Sequence, residues 1–193
     1  DAGVTPVDAL RRIALLLERS RAGTYRIQAF RKAAGVVAGL DPDELHRRLA
    51  DGSLEGLPGL GTATAAVVTQ AADGELPAYL ASLQERDGGF LAPGGEAMYA
   101  AVRGDLHTHS DWSDGGSPIQ EMVLSAVELG QEWMALTDHS PRLKVANGLS
   151  AERLRQQLTI VDGVNTALGQ RFRLLRGIEV DILEDGTLDQ EPA

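Results

Sequence analysis

The strongest constraint on this chain is a break in pattern, not any single residue. From Arg86 to about Ala100 the sequence is rich in turn formers, with Gly88-Gly89 and Pro93-Gly94-Gly95, and it reads as a linker. Before it, apolar residues recur every three to four positions. After it, short apolar runs alternate with helical patterns. A chain of 193 residues with 43% apolar content can bury a core in each of two such units. The expected organisation is a small all-α unit over 1–85, a linker over 86–100, and an α/β unit with parallel βαβ connections over 101–193.

In the first unit, Val7, Leu10, Ile13, Ala14 and Leu17 share one helical face behind the cap Thr5 and Pro6. A second helix follows Gly23-Thr24, with Ile27, Phe30, Ala34 and Val37 inward, Lys32 opposite, and Arg26 and Arg31 on its flanks. Asp41 before Pro42 starts a third helix carrying Leu45 and Leu49, which Gly52 can end in a left-handed conformation. The turn Leu57-Pro58-Gly59-Leu60-Gly61 leads into a fourth helix from Thr62 to about Ala72. In the second unit the pattern predicts strands over 102–107, 133–137 and 172–183, and helices over 117–130 and 150–168.

The chemistry concentrates at the strand ends. Three of the four histidines, His107, His109 and His139, fall at the C-terminal ends of the first two strands of this unit. Residues two apart on a strand face the same way, so His107 and His109 can offer two imidazoles to one cation while Thr108 points aside. Asp114, Asp138 and Glu179 bring carboxylates to successive strand ends, where α/β barrels gather catalytic groups. One strand-end histidine alone would read as a surface or capping residue, but this combination reads as a metal centre. Arg142 and Lys144, just beyond the second strand, suit a phosphate contact or a solvated loop equally well.

Composition excludes several alternatives. The chain has no cysteine, so disulfides, thiolate metal sites and thiol nucleophiles are ruled out. No apolar run approaches the roughly 20 residues that span a bilayer, and the N-terminal residues do not resemble a secretion signal, so the expectation is a soluble cytoplasmic protein without a membrane partner. The net charge of −10 argues against broad binding to nucleic acid, yet it is unevenly spread. Residues 1–50 hold 9 Lys/Arg against 6 Asp/Glu, whereas residues 51–193 hold 9 against 22. An acidic body of this kind is either a solvated surface or a set of carboxylates converging on cations.

Gly104-Asp105-Leu106-His107-Thr108-His109-Ser110, Leu136-Thr137-Asp138-His139-Ser140 and Arg176-Gly177-Ile178-Glu179-Val180-Asp181 resemble three motifs of the polymerase and histidinol phosphatase (PHP) domain family. Trp112-Ser113-Asp114-Gly115, Ser140-Pro141-Arg142-Leu143 and Ile182-Leu183-Glu184-Asp185-Gly186 are similar to the PHP domain at the C-terminus of bacterial family X DNA polymerases. The resemblance implies a partial distorted (β/α)7 barrel from about Val102 onward. It also implies a ligand set: His107 and His109 on one metal, Glu179 bridging that metal to a second, and Asp114 with His139 on a third. Asp138 is expected beside them as a catalytic neighbour, with Arg142 on the substrate. The implied cofactors are two or three divalent ions, manganese or zinc, with iron a further candidate. Such ions activate water and stabilise the leaving oxygen of a phosphate ester, so no side-chain nucleophile is needed. The family pattern has further histidines and a final Asp-x-His, and none follows Glu179, so the remaining C-terminal part of the barrel is expected as a partner for turnover.

Residues 7–83, with Tyr25-Arg26-Ile27-Gln28-Ala29-Phe30-Arg31-Lys32-Ala33-Ala34 and the Pro58-Gly59-Leu60-Gly61 hairpin, resemble the helix-hairpin-helix domain at the N-terminus of family X polymerases. A hairpin of this kind offers backbone N–H groups to a nucleic-acid phosphate, although Pro and Gly also make ordinary connections. The candidate contacts are Gly59, Gly61, Arg31 and Lys32, with Lys32 equally an ordinary exposed helix residue. The lysines that serve lyase chemistry and phosphate binding in some relatives are replaced by Val67 and Ala63, which discards the lyase step and weakens the expected DNA affinity. The polymerase core between the two domains of the bacterial enzymes is absent, which excludes nucleotide addition. The reading is a phosphoesterase acting on DNA, exonucleolytically from the 3′ end. The alternatives are a small-molecule phosphatase of the histidinol phosphate type and a DNA-binding adaptor without catalysis.

Overall fold

A computed structural model describes residues 3–87 and 94–190. The chain divides into two compact units, 1–90 and 91–193.

The first unit is helical: α1 (Pro6–Arg19), α2 (Thr24–Ala38), α3 (Pro42–Asp51), α4 (Thr62–Ala72) and α5 (Ala78–Arg86), with a 3-10 turn at Leu54–Gly56. Local chemistry sets the boundaries. Thr5 Oγ1 accepts from the Asp8 N–H at the start of α1, and Asp41 accepts from the Asp43 N–H at the start of α3. Gly52 ends α3 at φ 72°, the left-handed geometry that glycine adopts without strain. Leu10, Ile13 and Leu17 of α1, Ile27, Phe30 and Val37 of α2, and Val67 and Val68 of α4 form one core, which α5 closes with Leu80 and Leu83. Burying side chains of this size contributes roughly 1.5–3 kcal/mol each, which offsets the ordering of a short helical chain. Helix α3 contributes no fully buried residue and rests on this core through Leu45 and Leu49.

The second unit alternates as expected: α6 (Glu96–Ala101), β1 (Gly104–Thr108), α7 (Ile119–Glu128), β2 (Trp133–Leu136), α8 (Ala151–Leu168) and β3 (Arg173–Arg176). The strands form a parallel sheet in the order β1-β2-β3, with Met134 beside Asp105 on one flank and Leu174 on the other. Met134, Leu136, Phe172 and Leu174 pack with Ile119 and Val123 of α7 and Val161 of α8. The sheet has three strands among the described residues, so the fold here is mixed α/β with a small parallel sheet, short of a closed barrel.

Two expectations need correction. Part of the stretch read as linker is helical, because α6 occupies Glu96–Ala101; residues 88–93 of that stretch lie outside the described residues. The strand expected over 172–183 ends at Arg176. Beyond it a single parallel bridge joins His139 to Glu179, and the chain then folds back through an antiparallel bridge between Ile182 and Leu188. The reversal is a tight turn: the Leu183 N–H donates to the Thr187 carbonyl, Gly186 adopts φ 84°, and Asp185 accepts from both the N–H and the hydroxyl of Thr187.

Candidate metal centre

The first strand delivers two imidazoles to one side. Thr108, between them, is turned away, its hydroxyl donating to the Ala135 carbonyl at 2.7 Å and its N–H donating to Thr137 Oγ1 at 3.0 Å. The His107 and His109 rings stand 4.9 Å apart, and His139 joins from the end of β2 with its ring 4.5 Å from His109. Glu179 arrives on the segment after β3, held in register because its N–H donates to the Asp138 carbonyl and its own carbonyl accepts from the Ser140 N–H.

These side chains form two overlapping groups with metal-ligand spacing. His107, His109 and Glu179 make one, and His109, Asp114 and His139 make the other, each with its donor atoms within 4.8 Å of one another. Glu179 Oε2 lies 2.7 Å from His107 Nε2, 3.0 Å from His109 Nε2 and 3.9 Å from His139 Nδ1. Asp114 Oδ1 lies 3.1 Å from His109 Nδ1, and its Oδ2 lies 3.4 Å from His139 Nε2. All five expected ligands therefore converge. His109 belongs to both groups, one ring nitrogen facing each, and a neutral imidazole has only one lone-pair nitrogen to coordinate with. Its Nε2 faces Glu179 and its Nδ1 lies beside Asp114, so an ion held at one nitrogen leaves the proton on the other. No hydrogen bond satisfies His109 Nδ1, which is buried, and this unsatisfied atom fits a site whose polar partners include a cation.

The electrostatics favour ionised carboxylates. At Glu179 the hydrogen bond from His107 outweighs burial, and His139 and His109 add to it, so the carboxyl is held below its ordinary range. At Asp114 burial pushes upward, but His139, a backbone N–H, His109 and Ser113 together bring the carboxyl below its ordinary range. Imidazole with carboxylate, and no thiolate, is a donor set suited to manganese, zinc or iron.

The other expected residues take different places. Asp138 does not face the cluster. It is 1% exposed and accepts four hydrogen bonds: from the Ser110 N–H at 2.7 Å, the Ser110 hydroxyl at 2.6 Å, the Ser113 hydroxyl at 2.5 Å and Gln157 Nε2 at 2.6 Å. Expected among the catalytic groups, it is a positioning residue that ties the loop after β1 to helix α8. Arg142 stands exposed at the rim, its Nε 3.8 Å from Asp181 Oδ2, and Lys144 opens a 3-10 turn beside it.

Sequence reasoning missed two supports. One face of α8 presents Gln157 to Asp138 and, one turn earlier, Arg153 to the carbonyls of Trp112, Asn147 and Gly148. The loop carrying Asp114 is thereby joined to the loop after β2. Gly115 lets that loop fold closely, since a Cβ there would lie 2.2 Å from the His109 carbonyl oxygen. The second support is Asp189. Burial pushes its carboxyl up, but donors from Ser140, Asp181 and Arg142 outweigh that and hold it below the ordinary value.

In the first unit, Tyr25, Arg26, Phe30, Lys32, the hairpin residues Gly59–Thr64 and Tyr79 line a groove of about 1000 Å³. Gly59 adopts φ 104°, and an added Cβ would press on the Lys32 stem at 3.0 Å and on Val36 at 3.2 Å. Gly59 and Lys32 are thus neighbours. Two expected phosphate contacts are engaged elsewhere. Arg31 is paired with Glu18 of α1 at 3.2 Å with its side chain 10% exposed, and the Gly61 N–H donates to Thr64 Oγ1 at 2.9 Å. Val67 is buried in the core and could not present a side chain to a ligand.

Comparison with known proteins agrees with the second unit's geometry. Residues 105–192 match the PHP domain. A relative, the DNA polymerase/3'-5' exonuclease PolX of Bacillus subtilis (strain 168), is 53% identical over 90 residues, which are 47% of this chain and 16% of that protein. The chain therefore spans about one sixth of the length of that relative. Members of the PHP family are typically metal-dependent hydrolases, and the PHP segment here contains both candidate metal groups.

Proposed function

We propose that the chain is the metal-binding part of a phosphoesterase that hydrolyses phosphodiesters in DNA from the 3′ end, preceded by a helix-hairpin-helix unit that retains the strand. The observation carrying this reading is the convergence of His107, His109, Asp114, His139 and Glu179 into two groups that share His109. The similarity to a protein named for 3'-5' exonuclease activity supports the choice of DNA.

His107, His109 and Glu179 would hold one divalent ion, with Asp114 and His139 holding another. Bound there, such ions would supply polarisation of a phosphoryl oxygen and a lowered pKa for the attacking water. The protein's own residues do the positioning. Asp138 and α8 fix the loops that carry the ligands. Arg142 is exposed beside the centre and, once released from its loose pairing with Asp181, can donate to a substrate phosphate. In the first unit, Lys32 and Arg26 border the hairpin groove and offer charge to a backbone phosphate without reading bases.

A second reading, a phosphatase for a small phosphate monoester, is favoured by the shortage of free cations around the hairpin. Arg31 is occupied by Glu18, and Ala63 and Val67 offer no charge. Fewer neutralised phosphates mean weaker retention of DNA.

One experiment separates these readings. The full-length protein is incubated with manganese and either end-labelled single-stranded DNA or histidinol phosphate, beside a His107→Ala/His109→Ala variant. DNA shortening that the variant lacks supports the first reading. Phosphate release from the small ester alone supports the second. DNA retention with no turnover of either substrate contradicts both and leaves a binding module.

A further inference from the structure

Asp189 lies ten residues beyond Glu179, outside the segments that carry the metal ligands, yet its carboxylate joins the two segments on which His139 and Glu179 sit. Oδ2 accepts from the Ser140 hydroxyl at 2.6 Å and from the Arg142 N–H at 3.2 Å, both on the loop that begins with His139. Oδ1 accepts from the Asp181 N–H at 2.9 Å, two residues after Glu179, and the Asp189 N–H returns a bond to the Asp181 carbonyl at 3.1 Å. Among the described residues, a parallel bridge between His139 and Glu179 continues the sheet at this point. The two backbone bonds of that bridge, from the Glu179 N–H to Asp138 and from the Ser140 N–H to Glu179, are supplemented by the Asp189 carboxylate, which reaches both segments.

We infer that Asp189 is a positioning residue of the metal centre: it clamps the loop after His139 to the segment after Glu179, and so sets the separation of these two ligands and the place of Arg142 at the rim. The inference rests on the metal-dependent reading above. The turn Leu183–Thr187 serves the clamp by folding the chain back so that Asp189 meets Asp181, a purpose that explains a tight reversal immediately beside a ligand. Ser140 is buried, so its hydroxyl needs this acceptor. An asparagine at position 189 has one acceptor oxygen for three donors and releases at least one of them.

The test is manganese binding by the 193-residue protein, read by titration calorimetry and by the electron paramagnetic resonance of the bound ion. The variants are Asp189→Asn, Ser140→Ala and, as a charge control on the same turn, Glu184→Gln, whose exposed side chain makes none of the bonds that shape the turn. Partners that orient metal ligands change affinity about 10- to 100-fold when removed. Asp189→Asn is expected to weaken manganese about tenfold and alter the bound-ion spectrum, Ser140→Ala to weaken it less, and Glu184→Gln to leave both readouts unchanged. Wild-type affinity and spectrum in both Asp189→Asn and Ser140→Ala would overturn the clamp while leaving the metal centre standing. Equal losses in Glu184→Gln and Asp189→Asn would overturn it too, by showing a general effect of charge on this turn. If Asp189→Asn fails to fold, Ser140→Ala decides alone, since it removes one clamp bond and a single oxygen atom. Failure of the wild-type protein to bind manganese removes the clamp together with the reading beneath it.

Discussion

His109 Nε2 lies 3.0 Å from Glu179 Oε2 while the opposite ring nitrogen lies 3.1 Å from Asp114. One imidazole thus stands between the two candidate metal groups, whereas His107 borders only one of them. Removing the shared ring disturbs both groups. His109→Ala is expected to lower manganese affinity and stoichiometry more than His107→Ala, by about tenfold or more in affinity. Calorimetric titration of the two single variants checks this, and equal losses would contradict the shared arrangement.

Asp138 satisfies four donors in a site closed to water. Truncating it to alanine strands those donors and is expected to destabilise the second unit by about 3 kcal/mol, a cost typical of breaking a buried polar network. Both tryptophans, Trp112 and Trp133, lie in this unit, so urea unfolding followed by tryptophan fluorescence reports it directly. A loss below about 1 kcal/mol would show that the network is replaceable.

The hairpin glycines are expected to differ. Gly59 has φ 104° and close neighbours, so Gly59→Ala should cost about 1–2 kcal/mol. Gly61 has extended backbone and open space, so Gly61→Ala should stay within about 0.5 kcal/mol. Thermal unfolding by circular dichroism distinguishes them, and equal effects would contradict the local geometry.

Asp189 also makes a pH prediction. Its carboxyl is held below the ordinary value. Its contribution to stability is therefore complete above the unfolded-state pKa of about 3.9 and disappears as pH falls through the lower folded-state value. The stability difference between wild type and Asp189→Asn, measured by denaturant titration of the metal-free protein, should be larger at pH 6 than at pH 3. A constant or growing difference on acidification would contradict the assignment.

Much of this was legible in the residues because the signals are local. Thr5-Pro6 and Asp41-Pro42 marked helix starts, Gly52 marked an end, and the two-residue spacing of His107 and His109 marked a shared face. Alternation also held a clue about Asp138: adjacent to His139, it turns the other way, into the protein, where its carboxylate accepts from Ser110, Ser113 and Gln157. Long-range bonds left no such trace. Nothing near Arg31 announces Glu18 on another helix, and nothing near Ser140 announces Asp189, because both partners are supplied by the tertiary fold. The competition for the Gly61 N–H was readable, since Thr64 stands at the third helical position where a side chain reaches back. The short third strand was not, because its apolar run continues past the point where the sheet does.

The most direct test of the account is manganese binding at neutral pH by the wild-type chain and by His107→Ala/His109→Ala, followed through the resonance signal of free manganese. The five-ligand cluster predicts saturable uptake by the wild type and a loss of about 100-fold or more in the double variant. No uptake by the wild type, or undiminished uptake by the variant, would contradict it.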